Sequence, residues 1–488
     1  MECRRCFIVA IAQTTAILTN LTPRQLDCYR NGCFLWKNDI LATENISIGD
    51  KSRFVVFLVR TNDMQASIMK EKIMLRVSKT LLLGVLLFLS VSEFASAQGI
   101  LLRGIGAVND SMAGTAIATP LDAAGAMYAN PASISGIKDC QIGFDLGVII
   151  PNSSATSVAV QNPNTWGTAR SDAGQIPAPT MSMLYRNCPH SRLTYGLTIA
   201  GVGGAASLYS APRIPGTNPI LDDKARAANV QIFQIMPTVS YKVTDRLALG
   251  FTPVVGLASL SINPMPLGLP AMNPIENYGT RYTWGGGFNL GAYYDLNCNW
   301  KTGFTFKSPV WTKSLQFIGT DAQGRPSEPE FDINLPLCLG WGISYGGIRD
   351  TIIGVDVRYM DYANTKGFRG IIDPATGNIT GLGWDSVTAV STGIEHTLTD
   401  RLKIRAGYCY NTNPIPAASQ FANVGSPLMM QHVLGLGCTI GLPKDLDAHL
   451  AWTHAFQKEK SGFDPTGQVK ITNSAYADTI IAGVTKRF

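Results

Sequence analysis

The sequence predicts an all-β chain: a fourteen-stranded antiparallel transmembrane β-barrel, preceded by a segment of small residues able to pack in its lumen. Three observations predict it. From about residue 139 onward, strand-like stretches alternate with very short turns and longer loops. Within strands, one face is apolar and the other polar. Charged residues make up 15% of the chain, against about 25% in a typical soluble domain.

Composition narrows the alternatives. The 488 residues carry a formal net charge of +6, 45% hydrophobic residues and 48 glycines, with a mean hydropathy of +0.10. A disordered polyelectrolyte needs more charge and less hydrophobicity. A polytopic helical membrane protein needs uncharged apolar runs of about 18 residues or more, and the sequence has none.

Residues 1–73 lack clear periodicity and hold Cys3, Cys6, Cys28 and Cys33. The expectation is an upstream extension arising from too early a start codon; a cytoplasmic extension is the other reading. Cys3-x-x-Cys6 has no properly spaced second Cys or His pair, so no metal site is expected. Residues 74–97 have the three parts of a secretory signal: Arg76 and Lys79, the apolar run Leu81 to Val91, and the small-residue cleavage site Ala95-Ser96-Ala97. The run is too short for a membrane anchor. The first 97 residues hold 12 Lys and Arg and 8 Asp and Glu, leaving 28 and 26 in residues 98–488, a net of +2. That balance gives no electrostatic case for nucleic acid. The remaining cysteines, Cys140, Cys188, Cys298, Cys338, Cys409 and Cys438, are scattered and read as single packed residues.

Residues 139–488 are the predicted barrel. Six short turns are expected at Asn187–His190, Thr244–Arg246, Asn297–Asn299, Gly346–Asp350, Thr399–Arg401 and Pro443–Asp445, rich in residues that preset or tolerate turn dihedrals. Seven longer loops are expected near 151–176, 203–228, 263–280, 309–328, 363–382, 412–427 and 457–469. In 351–362, Ile353, Val355, Val357 and Tyr359 alternate with Gly354, Asp356, Arg358 and Met360. In 401–410, Leu402, Ile404, Ala406, Tyr408 and Tyr410 alternate with Arg401, Lys403, Arg405, Gly407 and Cys409. A charge facing mid-bilayer lipid costs roughly 2–4 kcal/mol, so Asp356, Arg358, Lys403 and Arg405 are expected inside. Closure removes the strand edges that a bilayer cannot tolerate. The terminal Phe488, behind Ile480, Ala482 and Val484, fits an assembly signal read by the barrel assembly machinery, although Lys486 departs from the apolar pattern.

Residues 98–138 carry Arg103-Gly104-x-Gly106, Ala113-Gly114-x-Ala116, Asp122 and Asn130-Pro131-Ala132 in order. This stretch resembles the N-terminal hatch of the long-chain fatty-acid outer-membrane transporter family (FadL, OMPP1 and TodX type). Arg401 to Tyr408, followed by Asn413-Pro414-Ile415-Pro416, is similar to that family's late strand and loop. The resemblance implies a barrel plugged by the hatch, with Arg103, Gly104, Gly106, Gly114, Asp122, Asn130, Pro131 and Ala132 as the hatch motif. It also implies passive uptake of long-chain fatty acids or monoaromatic hydrocarbons, no cofactor, contact with outer-membrane lipid and a monomer. In that family a kinked third strand opens a lateral gap. Gly201, Gly203 and Gly204 are the candidates here, with an ordinary strand end as the other reading.

Capture residues are expected in two loops: Met265, Leu267, Leu269 and Met272 in the first, and Trp311, Leu315 and Phe317 in the second. Methionines adapt to varied ligands; packing of the loops over the barrel mouth is the alternative. Arg358 and Arg405 are candidate lumen cations for a carboxylate, with pairing to acids such as Asp356 as the alternative. An enzyme lacks support: no Gly-x-Ser-x-Gly or His-Glu-x-x-His is present, and His449 and His454 point to opposite strand faces. A general or aromatic-selective porin and a structural or adhesive surface barrel are the remaining classes.

Overall fold

The computed structural model describes residues 43–46, 54–57, 98–188, 190–209, 226–263, 276–277, 279–320, 325–328, 330–370, 381–464 and 467–488. Thr43–Ile46 and Phe54–Phe57 pair as a short antiparallel ladder in a unit separate from the rest.

Fourteen strands close into one antiparallel barrel: β1 (Gln141–Ala159), β2 (Ile176–Tyr185), β3 (Leu193–Tyr209), β4 (Arg226–Lys242), β5 (Leu247–Asn263), β6 (Arg281–Asp295), β7 (Trp300–Lys307), β8 (Cys338–Ile348), β9 (Thr351–Met360), β10 (Val387–Thr399), β11 (Leu402–Asn411), β12 (His432–Leu442), β13 (Leu446–Phe463) and β14 (Val469–Arg487). Each pairs with the next, and β14 pairs with β1 from Val469↔Ala159 to Arg487↔Gln141. Two short strands, Trp166–Arg170 on β1 and Trp311–Thr312 on β6, extend the sheet.

Short connections fall at all six expected places, but Gly346–Ile348 belong to β8, which leaves Arg349 and Asp350 as that turn, and Pro189 of the first lies outside the described residues. Asp350 (φ 56°) and Lys444 (φ 64°) take the left-handed backbone that such tight connections demand. The longer loops need correction. β1 runs to Ala159, β3 to Tyr209 and β13 to Phe463, so those connections shrink to 160–175, 210–225 and 464–468. Their ladders simply continue past the region where polarity changes; pairing between β1 and β14, for example, persists over the full length of both strands.

Alternation sorts the faces. In β1, Ile142, Phe144 and Leu146 are exposed on the outer surface while Gln141 and Asp145 are buried inside. Asp356, Arg358 and Arg405 are buried in the lumen, as the lipid cost requires. His449 faces inward between Thr439 and Thr485, whereas His454 lies on the alternate face, bonded to Asp478. Lys486, on β14, bends back to the Lys444 carbonyl and lies 3.9 Å from Asp445, so its charge reaches the turn while its stem covers the outer wall. Phe488 is exposed, and its N–H donates to the Cys140 carbonyl at the start of the barrel. Of the cysteines of residues 98–488, Cys338 and Cys409 are packed in the interior, but Cys188 and Cys298 are exposed in short turns rather than packed.

Residues 98–138 fold inside the barrel. They form α1 (Gly106–Ser111), α2 (Ala123–Ala129) and a 3₁₀ turn over Pro131–Gly136. Such short helices hold through caps and contacts rather than propensity. Asp122 caps α2 by accepting from Gly125 N–H, and Asn130 caps the 3₁₀ turn by accepting from Ala132 N–H. The largest apolar cluster joins this plug to the loops above it, including Ile105, Tyr128, Val202, Phe317, Tyr362 and Trp384.

Candidate functional site

The site is built where the plug meets the barrel wall. Asn130 is fully buried. Its side-chain amide donates to the Ile117 carbonyl (2.9 Å) within the plug and to the Ala292 carbonyl (3.0 Å) on β6, while its oxygen accepts from Ala132 N–H (3.1 Å). The close approach depends on wall glycines. A Cβ on Gly291 would lie 2.0 Å from Asn130 Oδ1, and one on Gly250 would lie 2.3 Å from Ala132 N. Gly303, Gly393, Gly407 and Gly435 make the same kind of room for the plug backbone on other strands. The high glycine count thus includes a belt that seats the plug. Sequence reading missed it because the face a glycine occupies depends on register.

Charged side chains tie the plug from several directions. Asp356 on β9 accepts from Ala116 N–H (2.8 Å) and Ile117 N–H (3.0 Å). Arg358 donates to the carbonyls of Arg103 and Gly114 and lies 3.3 Å from Asp356. Asp145 on β1 accepts from Ala107 N–H at 3.1 Å. Arg186, at the end of β2, donates to the carbonyls of Ser135 and Ile137. Arg103 itself bonds Thr453 and lies 3.6 Å from Asp110. Burial raises the Asp110 carboxyl above its usual range, and the Arg103 charge opposes that rise.

These contacts correct the expectation that Arg358 and Arg405 await a carboxylate. Arg358 is spent on Asp356 and two plug carbonyls. Arg405 lies 2.7 Å from Glu395, directly across the ladder on β10, and also donates to Thr439. Glu395 went unnoticed because its pairing with Arg405 is a property of register.

Asp122 provides a pH handle. Burial pushes its carboxyl up to about 6, against the lowering effects of the Gly125 N–H and Arg405; Glu395 adds to the rise. The sign follows from linkage. In the free chain this group ionises near 3.8, whereas in the seated plug the half-buried carboxylate is poorly solvated. Its contribution to plug stability therefore falls as pH rises from the ordinary carboxylate range to about 6, and is level above. Amide exchange of α2 should be slower at about pH 5 than at about pH 7.5, once corrected for intrinsic rates. Asp122→Asn should flatten that difference while keeping the cap.

The Gly201–Gly204 stretch is not a strand end. It lies within the 17-residue β3, where the register against β4 shifts between Gly201 and Gly203 and leaves Val202 as an extra residue, a bulge. Below it, β3 pairs with β2 from Tyr185↔Tyr195 to Thr180↔Ala200, and there that ladder stops. β2 continues to Ile176 on β1, and β3 continues to Tyr209 on β4. The two strands part until Ser171 bridges Tyr209. In this window the plug's first residues act as a partner: Leu102 N–H donates to the Val202 carbonyl (2.8 Å) and Gly204 N–H to the Ile100 carbonyl (3.0 Å). Next to it lies a cavity of about 160 Å³, lined among others by Leu101, Ile149, Pro177, Gly203, Met430 and Ala477.

The second capture loop divides. Trp311 is exposed on its short strand beside β6, while Leu315 and Phe317 are buried in the interior cluster with Phe331 and Leu335. For those two residues the geometry is that of packing over the mouth. Met265, Leu267, Leu269 and Met272 lie outside the described residues. Among the described residues, no group of three His, Cys, Asp or Glu is placed to hold a metal.

The sequence model of a family described as "Outer membrane protein transport protein (OMPP1/FadL/TodX)" matches residues 88–488. The chain belongs to this family. It is an outer-membrane barrel of the transporters for hydrophobic compounds. Solved structures agree on the fold. The Pseudomonas aeruginosa FadL homologue is 14% identical, with a TM-score of 0.65, covering 80% of this chain and 100% of that one. The P. putida toluene transporter TodX is 17% identical, with a TM-score of 0.61, covering 79% and 99%. The Ralstonia pickettii toluene transporter TbuX is 18% identical, with a TM-score of 0.57, covering 79% and 99%. No curated protein matches the chain.

Proposed function

We propose that this FadL/TodX-family barrel carries hydrophobic small molecules, long-chain fatty acids first among them, passively across the outer saccharide layer. Loops at the mouth capture the molecule, and it leaves sideways into the membrane through the window between β2 and β3. Residues 74–97 are removed on export, Phe488 serves assembly, and the barrel works as a monomer without a chemical step. The observation that carries the reading is the window itself: the β2–β3 ladder ends at Ala200, and Ile100–Leu102 fills the gap with two backbone hydrogen bonds. For a path to open, this segment must give up those two bonds, the Leu101 N–H contact with Tyr362 and the bond from the Tyr128 hydroxyl to the Leu102 carbonyl. An apolar molecule gains about 0.8 kcal/mol per buried methylene on the way in.

A compact ring is the second reading, favoured by the size of the cavity. About 160 Å³ suits a single apolar ring without movement of the plug, whereas a long chain needs the plug segment to shift. Uptake of labelled oleate and of labelled toluene, in cells with and without the gene, separates the readings. A large steady aqueous conductance would instead support a porin, and unchanged uptake of both compounds on deletion would support a structural barrel.

The window yields a direct prediction. A Cβ on Gly203 would lie 2.6 Å from the Ile100 carbonyl oxygen. Gly203→Val should displace Ile100–Leu102 and forfeit both hydrogen bonds, about 2 kcal/mol net. The open population, and with it entry of a small hydrophobic dye, should rise roughly tenfold or more. Unchanged dye entry in an assembled Gly203→Val barrel would remove Ile100–Leu102 as the stopper.

A further inference from the structure

We propose that the plug begins with a pyroglutamate, a five-membered lactam made from Gln98. The proposal goes beyond the transport reading and rests on cleavage after Ala97, which makes Gln98 the first residue of the exported chain. The structure does not leave that residue trailing in water. Gln98 is 8% exposed. The Tyr362 hydroxyl donates to its carbonyl at 2.9 Å, and its Nε2 lies 3.3 Å from Cys409 Sγ on β11. Gly99 follows with φ +71°, so tightly enclosed that a Cβ there would lie 2.7–2.8 Å from ring atoms of Tyr362 and Trp384. Those rings and Phe368 pack against one another with centroids 4.8–5.2 Å apart. Two residues later the chain joins β3 at the window.

An uncyclised terminus would bring an ammonium into this apolar box. A buried charge is tolerated only when it is paired and hydrogen-bonded. The polar contacts of Gln98 are with Tyr362 and Cys409, and neither is an anion. The neighbouring charged groups do not supply a partner. Arg103 and Arg358 are cations, and Asp110 is held by Arg103. Asp361 accepts from Asn364 and Ser386, and Asp385 is exposed. Glutamine is the residue able to remove the charge by itself. The α-amine of Gln98, in its neutral form, attacks Cδ of its own side-chain amide. The new C–N bond forms as the Cδ–Nε2 bond breaks, and a proton passes from the amine to the departing nitrogen, which leaves as ammonia. Nothing is oxidised or reduced. The ring is neutral and keeps one N–H donor and one carbonyl acceptor; the Nε2 contact with Cys409 Sγ is given up with the ammonia, and the bond from the Tyr362 hydroxyl to the Gln98 backbone carbonyl is kept. A neutral first residue lets Ile100–Leu102 stay seated in the window.

The experiment uses the full chain purified from outer membranes. Free amines are dimethylated before digestion, so that cyclisation during handling is distinguished from cyclisation in the cell, and the N-terminal peptide is fragmented by mass spectrometry. The expected peptide begins at residue 98, lacks the label, weighs one ammonia less than the encoded sequence, and becomes labelled after pyroglutamyl peptidase treatment. A labelled, intact Gln98 overturns the proposal and leaves the cleavage site standing. A peptide beginning at any other residue overturns both. Uptake assays are untouched by either result. In the assembled barrel, Gln98→Ala should be trimmed by an aminopeptidase that leaves the natural chain intact. Equal resistance of the two would overturn the ring's part in seating the terminus.

Discussion

Asn130→Ala is expected to abolish most hydrophobic uptake while the fourteen-stranded barrel still assembles. The side chain is fully buried and makes three hydrogen bonds, to Ile117 and Ala292 carbonyls and from Ala132 N–H. Alanine leaves those three backbone groups without that partner in a place water does not reach. Each costs about 1–3 kcal/mol, so the local penalty is about 3 kcal/mol or more. The strands do not share it, because their ladders run on both sides independently of the plug. The plug does, since Asn130 is the point where its 3₁₀ turn, the Ile117 segment and β6 meet. Heat-modifiable mobility on gels reports assembly, and labelled oleate reports uptake. If Asn130 merely capped a local turn, the loss would be about 1 kcal/mol and uptake would survive. Unchanged uptake in an assembled variant would defeat a transport role for the residue.

The barrel was legible in the sequence because its rules are local. Turn residues at six short connections marked the hairpins, and alternation in segments such as 351–362 showed which side chains meet lipid. What register decides was not legible. Arg405 and Glu395 sit directly opposite on β11 and β10, but nothing in either segment announces the other. Glycines in a strand signal a bulge or an end equally well, so Gly201-Val202-Gly203 could not be assigned until the β2–β3 ladder was seen to stop at Ala200. The seat of the plug was hidden for the same reason. Gly250, Gly291 and Gly303 matter because three separate strands turn them toward Asn130, Ala132 and Ile117. Leu315 and Phe317 show the limit of composition: an apolar loop looks the same whether it captures a ligand or packs on its neighbours.

Arg358→Met is expected to unseat the plug more severely than removal of the whole ion pair. Asp356 is fully buried, with Arg358 3.3 Å away as its counter-charge. Losing the guanidinium strips the Arg103 and Gly114 carbonyls of a donor and leaves a carboxylate facing two N–H groups. Breaking one side of a buried pair typically costs about 3–5 kcal/mol, mostly through the charge left behind. Asp356→Asn in the same chain removes that charge and retains an oxygen for Ala116 and Ile117 N–H. The double variant should therefore recover part of the loss, a coupling that independent sites would not show. Hydrogen exchange in detergent can read this by segment. Amides of 103–118 should exchange faster in Arg358→Met, less so in the double variant, while those of β9 and β10 keep their protection. Full protection of 103–118 in the single variant would mean that Arg358 does not hold the plug. Equal loss in both variants would mean that its hydrogen bonds, and not the charge of Asp356, carry the effect. The distinction bears on transport, because Arg358 grips Arg103, one residue beyond the Ile100–Leu102 segment that fills the window. An unseated Arg103 disturbs the stopper from behind, so uptake of labelled oleate should fall in the single variant, as in Asn130→Ala, and fall less in the double variant.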